Sequence, residues 1–216
     1  MKTKELTTWQ TPATSYPRTQ LGAARITDMK YRGMYHAFGT RPLGEQERYD
    51  YYNVAGSIRV TGLKINGKTW MVDDPPHWWA IQERASQYHG HVLCAGLGLG
   101  LIVHALEANP KVERVTVVEV SQDVADLIWP LVPHGKAELV VADFHKYEPP
   151  AKPDIIFYDL FVGNGYKLLP KAAWVAWELL NKYPGTGVNV HGFPDMELIK
   201  YAAANFLNKG GSYGRG

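Results

Sequence analysis

Residues 91–101 read His91-Val-Leu-Cys-Ala-Gly-Leu-Gly-Leu-Gly-Leu101, a short apolar run followed by glycines at alternate positions. The apolar run predicts a buried parallel strand. Apolar residues at helical spacing begin at Leu101 and stop just before Pro110, which predicts a helix. A strand, a glycine turn and a helix are typical of the first unit of a nucleotide-binding α/β domain. Gly96, Gly98 and Gly100 would let a ligand lie close to the backbone beside the helix N-terminus.

Carboxylates follow the next three predicted strands. Residues 115–119 predict a second strand ending in Glu119, residues 139–141 a third that precedes Asp143, and residues 155–158 a fourth that precedes Asp159. The carboxyl ends of parallel strands meet at the edge where open α/β sheets bind ligands. For any one acid alone, an ordinary strand-end or helix-capping role is the better explanation. Three of them after a glycine turn favour a ligand site.

This pattern resembles the class I S-adenosylmethionine-dependent methyltransferases, and among them the spermidine-synthase-like branch. The resemblance covers about residues 65–191, with firm motifs at residues 92–100, Glu119, Asp143 and Asp159. It implies an α/β fold with a Rossmann-like, mostly parallel sheet. It also implies a transferase that uses S-adenosylmethionine or decarboxylated S-adenosylmethionine on a small-molecule substrate. An NAD site fits less well, because Leu101 stands where the dinucleotide motif needs a third small residue.

The resemblance assigns roles to single residues. Gly96, Gly98 and Gly100 would lie against the methionine part of the cofactor, Glu119 on the ribose hydroxyls, Asp143 on the adenine amino group and Phe144 beside the adenine. Asp159 is the candidate catalytic residue, which would orient or deprotonate the acceptor. The candidate substrate-pocket residues are Tyr158, Phe161, Tyr166, Trp70 and His77.

The chain departs from the family pattern at several positions. Cys94 stands where many class I methyltransferases have an acid, and Leu99 where spermidine synthases have an aspartate. Trp70 replaces their hairpin glutamine, and His77-Trp78-Trp79 replaces their Tyr-His-Glu. The adenosine half of the site therefore matches better than the amine half. A methyltransferase with an unidentified acceptor is favoured. An aminopropyltransferase, an acceptor-independent lyase or hydrolase, and a non-catalytic adenosyl-binding protein remain as alternatives.

The 216 residues suffice for one α/β domain with a small appendage, and a net charge of +2 does not require a polyanionic partner. The single cysteine, Cys94, suits a reducing compartment and is expected to pack in a strand. No apolar run is long enough to span a membrane, and the polar N-terminus lacks a signal-peptide core. We therefore expect a cytoplasmic protein without membrane contact.

Three segments are predicted. Residues 1–76 form an N-terminal arm with a β-hairpin module turning at Asn66-Gly67, residues 77–209 a Rossmann-like domain, and residues 210–216 a disordered tail. The last strand pair of class I methyltransferases has no counterpart, so the sheet should be shortened at its C-terminal edge. Basic and aromatic residues are interleaved in the first 56 positions. We interpret that region as an irregular arm that packs on the domain or mediates homo-oligomer formation, and consider nucleic acid binding less favoured.

The sequence around Pro75 and the distribution of histidines bear on two other kinds of site. Asp74-Pro75-Pro76 is interpreted as a turn and helix start rather than as the Asp-Pro-Pro-Tyr motif of amino-methylating enzymes. The histidines form no recognisable set of metal ligands in the sequence, so no metal site is expected.

Overall fold

The computed structural model describes residues 2–36, 51–162 and 166–207; the predicted disordered tail lies outside these residues. The five α-helices within them are α1 (Pro75–Gln87), α2 (Leu101–Glu107), α3 (Gln122–Ile128), α4 (Leu169–Lys182) and α5 (Asp195–Ala202). The strands of the N-terminal part are β1 (Thr3–Leu6), β2 (Gln20–Leu21), β3 (Ala24–Tyr31), β4 (Met34–His36), β5 (Tyr51–Val54), β6 (Ile58–Ile65) and β7 (Lys68–Val72). The later strands are β8 (Gly90–Ala95), β9 (Val112–Glu119), β10 (Ala137–Val141), β11 (Ile155–Tyr158) and β12 (Gly187–Val190).

The largest sheet has the order β10-β9-β8-β11-β12, and all its neighbouring strands are parallel. This is a Rossmann-like order, and it confirms the predicted α/β class with a mostly parallel sheet. The sheet has five strands in the described residues, which agrees with the predicted shortening. Strands β9 and β10 extend the sheet on one side of β8, and β11 and β12 extend it on the other side. The strand order therefore switches between β8 and β11. A crevice outside the carboxyl ends of two such strands is where open α/β sheets place their ligands.

Two hydrophobic clusters cover the two faces of this sheet. Val92 and Cys94 of β8 belong to one cluster with α1, α2 and α3, whereas Leu93 and Ala95 belong to the other with α4 and α5. Successive strand residues point to opposite faces, so a strand buried on both sides is apolar throughout. Cys94 is a free buried thiol whose pKa is raised by burial, so it packs as predicted.

The N-terminal part is more regular than the sequence indicated. The predicted hairpin is β6 and β7, turning at Asn66 and Gly67 with φ of 50° and 76°. It forms half of an antiparallel sheet with the order β2-β3-β6-β7. A second small sheet has the order β1-β5-β4. The expectation of an irregular arm is therefore wrong for the stretches that form strands β1 to β5.

The N-terminal part shares a core with the α/β part. Ala13, Tyr16 and Ile26 lie in the same hydrophobic cluster as residues of β8 and α2. The Tyr16 hydroxyl pairs with His104 Nε2 of α2 at 2.8 Å. Contacts therefore cross the predicted boundary at residue 76.

Among the helices that the structure describes, each is too short or too polar to traverse the hydrocarbon core of a bilayer.

Candidate functional site

The glycine turn between β8 and α2 has the predicted conformation. Gly96, Gly98 and Gly100 have φ of 90°, 54° and 71°, a region that side-chain-bearing residues rarely adopt. A β-carbon at Gly100 would lie 2.2 Å from Val132 Cγ1, so the turn also packs too tightly for a side chain there. Gly96 N donates to Val118 O at 2.8 Å and so ties the turn to β9. A ligand can therefore reach the backbone of the glycine turn only where no side chain from another element covers it.

Glu119 ends β9 and supports the glycine turn. Its Oε2 accepts a hydrogen bond from Leu97 N at 2.9 Å, and its Oε1 accepts one from Ser121 N at 2.8 Å. Only 8% of the residue is exposed, so Glu119 is buried at the end of the strand. Each carboxylate oxygen can accept a second bond, so these contacts leave capacity for the hydroxyls of a ribose.

Asp143 and Phe144 follow β10 at the same edge of the sheet. The backbone N–H of His145 and the nearby Lys146 ammonium lower the pKa of the partly exposed Asp143 carboxyl. Phe144 is 7% exposed and packs edge-on against Tyr158, with ring centroids 5.8 Å apart. Asp143 is therefore accessible to an adenine amino group, but Phe144 offers little free face for stacking in this structure.

The β6–β7 hairpin reaches the glycine turn through Met71. Met71 Sδ accepts a hydrogen bond from Leu99 N at 3.1 Å, and a β-carbon at Gly98 would lie 2.5 Å from it. Trp70 is the extra residue of a β-bulge, because Leu63 pairs with Met71 and the preceding pair is Lys64 with Thr69. Trp70 is 45% exposed. Met71, which sequence reasoning did not consider, is thus the hairpin residue that covers the turn.

Two of the predicted substrate-pocket residues, Tyr158 and Phe161, pack against each other. Tyr158 is buried, which raises its pKa to about 12, and its hydroxyl lies 3.2 Å from His145 Nε2. Phe161 packs against Tyr158 with ring centroids 5.3 Å apart, and Lys171 Nζ lies 5.9 Å from the Phe161 centroid. The side chain of Tyr166 lies outside the described part of the chain.

Three polar side chains meet beyond the ends of β11 and β12. Tyr158 pairs with Val190 in the sheet, so the residues that follow them, Asp159 and His191, are neighbours. His77 joins them from the first turn of α1, which Asp74 caps by accepting a hydrogen bond from His77 N at 3.1 Å. The rings of His77 and His191 are stacked with centroids 4.6 Å apart. His77 Nε2 lies 3.9 Å from Asp159 Oδ2.

The cluster of His77, Asp159 and His191 is largely shielded from water. About a fifth of the His77 side chain and a quarter of the Asp159 side chain are exposed, at 20% and 24%. Burial, followed by the neighbouring His191, lowers the pKa of His77 to about 4. Burial, followed by the Arg84 charge, lowers the pKa of His191 to about 3. Burial also raises the pKa of Asp159, against the opposing influence of His77. Both imidazoles are therefore neutral near pH 7.

Sequence reasoning placed Asp159 and His77 in the site but did not include His191. The available signal was position, because His191 follows the fifth strand as Asp159 follows the fourth. The sequence predicted no metal site because His77, Asp159 and His191 are far apart in the chain. His77 Nε2 and His191 Nδ1 are buried without a hydrogen-bond partner. Such atoms leave the cluster able to bind a polar ligand or an ion.

Comparisons with known proteins give partial matches. No family model and no curated protein match the sequence. A candidate SAM-dependent methyltransferase from Streptococcus mutans matches 71% of this chain and 44% of its own, with a TM-score of 0.49 and 14% identity. A dimethyladenosine transferase from Plasmodium falciparum matches 49% of this chain and 37% of its own, with a TM-score of 0.38 and 17% identity. Coclaurine N-methyltransferase bound to N-methylheliamine and SAH matches 38% and 24%, with a TM-score of 0.30 and 26% identity. This chain therefore spans less than half the length of each of these structures.

Proposed function

We propose that this chain is an S-adenosylmethionine-using transferase, and that it methylates a small-molecule acceptor. The observation that carries the proposal is the glycine turn at the switch point of the parallel sheet, held by Glu119 from the end of the adjacent strand. A turn with three left-handed glycines beside a strand-end carboxylate suits a ligand with a ribose and an extended, flexible arm.

The residues present fit the adenosyl half of the donor. Glu119 would accept hydrogen bonds from the ribose hydroxyls, and the partly exposed Asp143 would accept one from the adenine amino group. The methionine half would lie along the glycine turn, where Met71 covers Gly98. A methionine side chain has three rotatable bonds, so Met71 can turn away at low cost when the donor binds.

The His77, Asp159 and His191 cluster lies next to the start of the glycine turn. A β-carbon at Gly96 would lie 3.2 Å from the backbone oxygen of Asp159, so the two segments touch. Bound S-adenosylmethionine would supply an electrophilic methyl carbon. The protein then has to hold the acceptor in line and take its proton. Asp159, whose pKa is raised by burial, can orient the acceptor or take its proton.

One observation favours aminopropyl transfer as a second candidate. The hairpin packs directly on the glycine turn through Met71, and a hairpin ahead of the nucleotide domain is a feature of the spermidine-synthase-like branch. Trp70 and His77 stand where that branch has polar amine ligands, which disfavours a polyamine substrate. The spermidine-synthase-like assignment therefore stays the weaker part of the proposal.

Calorimetric titration with S-adenosylmethionine, decarboxylated S-adenosylmethionine, methylthioadenosine and S-adenosylhomocysteine tests the proposal. We expect S-adenosylmethionine and S-adenosylhomocysteine to bind more tightly than the other two. Tighter binding of the decarboxylated donor would instead favour aminopropyl transfer. Absence of saturable binding by all four would overturn the proposal. Labelled donor incubated without an acceptor provides a further check, since its consumption would indicate a lyase or hydrolase.

A further inference from the structure

Three side chains with metal-ligand chemistry converge at the carboxyl edge of the parallel sheet. One ring nitrogen of His77, one of His191 and one carboxylate oxygen of Asp159 lie within 4.8 Å of one another. We propose that these three residues form a binding site for a divalent transition-metal ion of the Zn²⁺ or Fe²⁺ type. This inference is independent of the donor site, because it rests on the geometry of these ligands alone.

The hydrogen bonding of His77 leaves the correct nitrogen free. His77 Nε2 is buried without a hydrogen-bond partner, and the backbone of Val72 acts to raise the pKa of the ring, as a hydrogen-bond acceptor at Nδ1 would. A carbonyl oxygen that accepts a hydrogen bond from Nδ1–H fixes the neutral tautomer with its lone pair on Nε2. Metal-bound histidines commonly donate their other N–H to a carbonyl or carboxylate in this way.

The His77–Asp159 distance distinguishes an ion from a shared proton. His77 Nε2 and Asp159 Oδ2 are both acceptors, yet they face each other at 3.9 Å. A hydrogen bond through one proton would bring them to about 2.6–3.2 Å. Two metal–ligand bonds of about 2.0–2.2 Å at a tetrahedral angle place the ligand atoms roughly 3.3–3.6 Å apart. The observed separation is closer to that of two ligands of one ion than to that of two atoms sharing a proton.

The third ligand has to approach. Separations of up to 4.8 Å within the set exceed what two such bonds span, so one group must close by roughly an ångström. The stacked rings of His77 and His191 are tilted by only 24°, and a common ion requires them to turn until both lone pairs converge. His191 Nδ1 has no hydrogen-bond partner, so this rotation breaks no hydrogen bond at that atom.

The chemistry of the ligands selects the ion. Two imidazole nitrogens and one carboxylate suit Zn²⁺, Fe²⁺, Co²⁺ or Mn²⁺, whereas Mg²⁺ and Ca²⁺ prefer oxygen ligands. The positive charge of Arg84 opposes the binding of a cation nearby. Asp195 pairs with Arg84 at 3.6 Å, and Phe193 O accepts a hydrogen bond from Arg84. Three protein ligands leave at least one position open for water or substrate.

Titration with Co²⁺ and Zn²⁺ tests the site on the full chain after chelator treatment and without any donor. We expect one equivalent of Co²⁺ to bind with visible absorption bands, and Zn²⁺ to displace it, while excess Mg²⁺ does not. The variants His77→Gln, Asp159→Asn and His191→Gln should each weaken Co²⁺ binding by roughly tenfold or more. His89→Gln is the matched control, because His89 is an exposed histidine outside the cluster, and it should bind Co²⁺ like the parent.

The inference is overturned if the parent chain shows no saturable Co²⁺ binding, or if all variants bind as the parent does. Nitrogen-detected NMR of the histidine rings covers the case of a variant that does not fold. On Zn²⁺ addition to the parent, the ring nitrogens of His77 and His191 should shift, and a shift confined to other histidines overturns the site. Because no donor is present, failure here leaves the donor titration intact as the separate test of the proposed function.

Discussion

Replacing Glu119 with alanine tests both the support of the glycine turn and the proposed ribose contact. The substitution leaves Leu97 N and Ser121 N without their carboxylate acceptor. Hydrogen bonds to a charged group contribute about 1.5–3 kcal/mol each, and water can replace part of the bond to the less buried Ser121 N. We therefore expect Glu119→Ala to lower the free energy of unfolding by about 2–5 kcal/mol.

That loss should weaken the fold without abolishing it. Domains typically have about 5–15 kcal/mol of stability, and 1 kcal/mol shifts Tm by about 2–4 °C at this size. We therefore expect Tm to fall by roughly 4–20 °C. If the carboxylate also binds the ribose hydroxyls, the affinity for S-adenosylmethionine should fall by roughly tenfold to a hundredfold.

Thermal melts followed by circular dichroism and calorimetric titration with S-adenosylmethionine measure the two effects separately. Glu113→Ala is the matched control, since Glu113 is an exposed glutamate on the same strand, and it should change neither quantity. An unchanged Tm in Glu119→Ala would refute the support of the turn. A lowered Tm with unchanged affinity, measured well below the melt, would refute the ribose contact.

Three other substitutions probe neighbouring features. Gly100→Ala should lower the free energy of unfolding by about 2–5 kcal/mol in urea melts, from backbone strain and overlap with Val132. Gly67→Ala, at a similar φ but in open space, isolates the strain, and equal losses would exclude the overlap. Met71→Ala should tighten S-adenosylmethionine binding by roughly fivefold, about 1 kcal/mol, because it uncovers the turn; weaker binding in calorimetry would make Met71 a ligand contact. Burial lowers the pKa of His104 below its usual 6.5, so the unfolded chain takes up its proton first as pH falls below 6.5. The parent should therefore lose stability below pH 6.5 more steeply than His104→Gln, and parallel pH profiles from denaturant melts would contradict this.

The site elements that depend on neighbouring residues in the chain could be predicted from the sequence. Apolar runs and glycines at alternate positions predicted β8, the turn and α2, because the turn requires φ values that only glycine adopts readily. Glu119, Asp143 and Asp159 could be placed at one edge because parallel strands end together. The hairpin was predicted because Asn66-Gly67 fits the left-handed turn between β6 and β7.

Strands that are stabilised mainly by distant partners were missed. β3 carries buried Ala24 and Ile26 beside exposed polar residues, a weak pattern that acquires meaning only when the strand pairs along its length with β6. Prolines and glycines around it suggested irregular structure. The energy of such a strand comes from cross-strand packing rather than from its own residues.

The composition of the candidate site depended on contacts between distant segments. Local sequence defines that Asp159 and His191 each follow a strand, but only the pairing of β11 with β12 makes them neighbours. The packing of α1 then adds His77, and the hairpin adds Met71 over the glycine turn. Periodicity and turn chemistry act over a few residues and so are readable in the sequence. The sheet order and helix packing that assemble the cluster arise from burial summed over the whole chain, which no single stretch encodes.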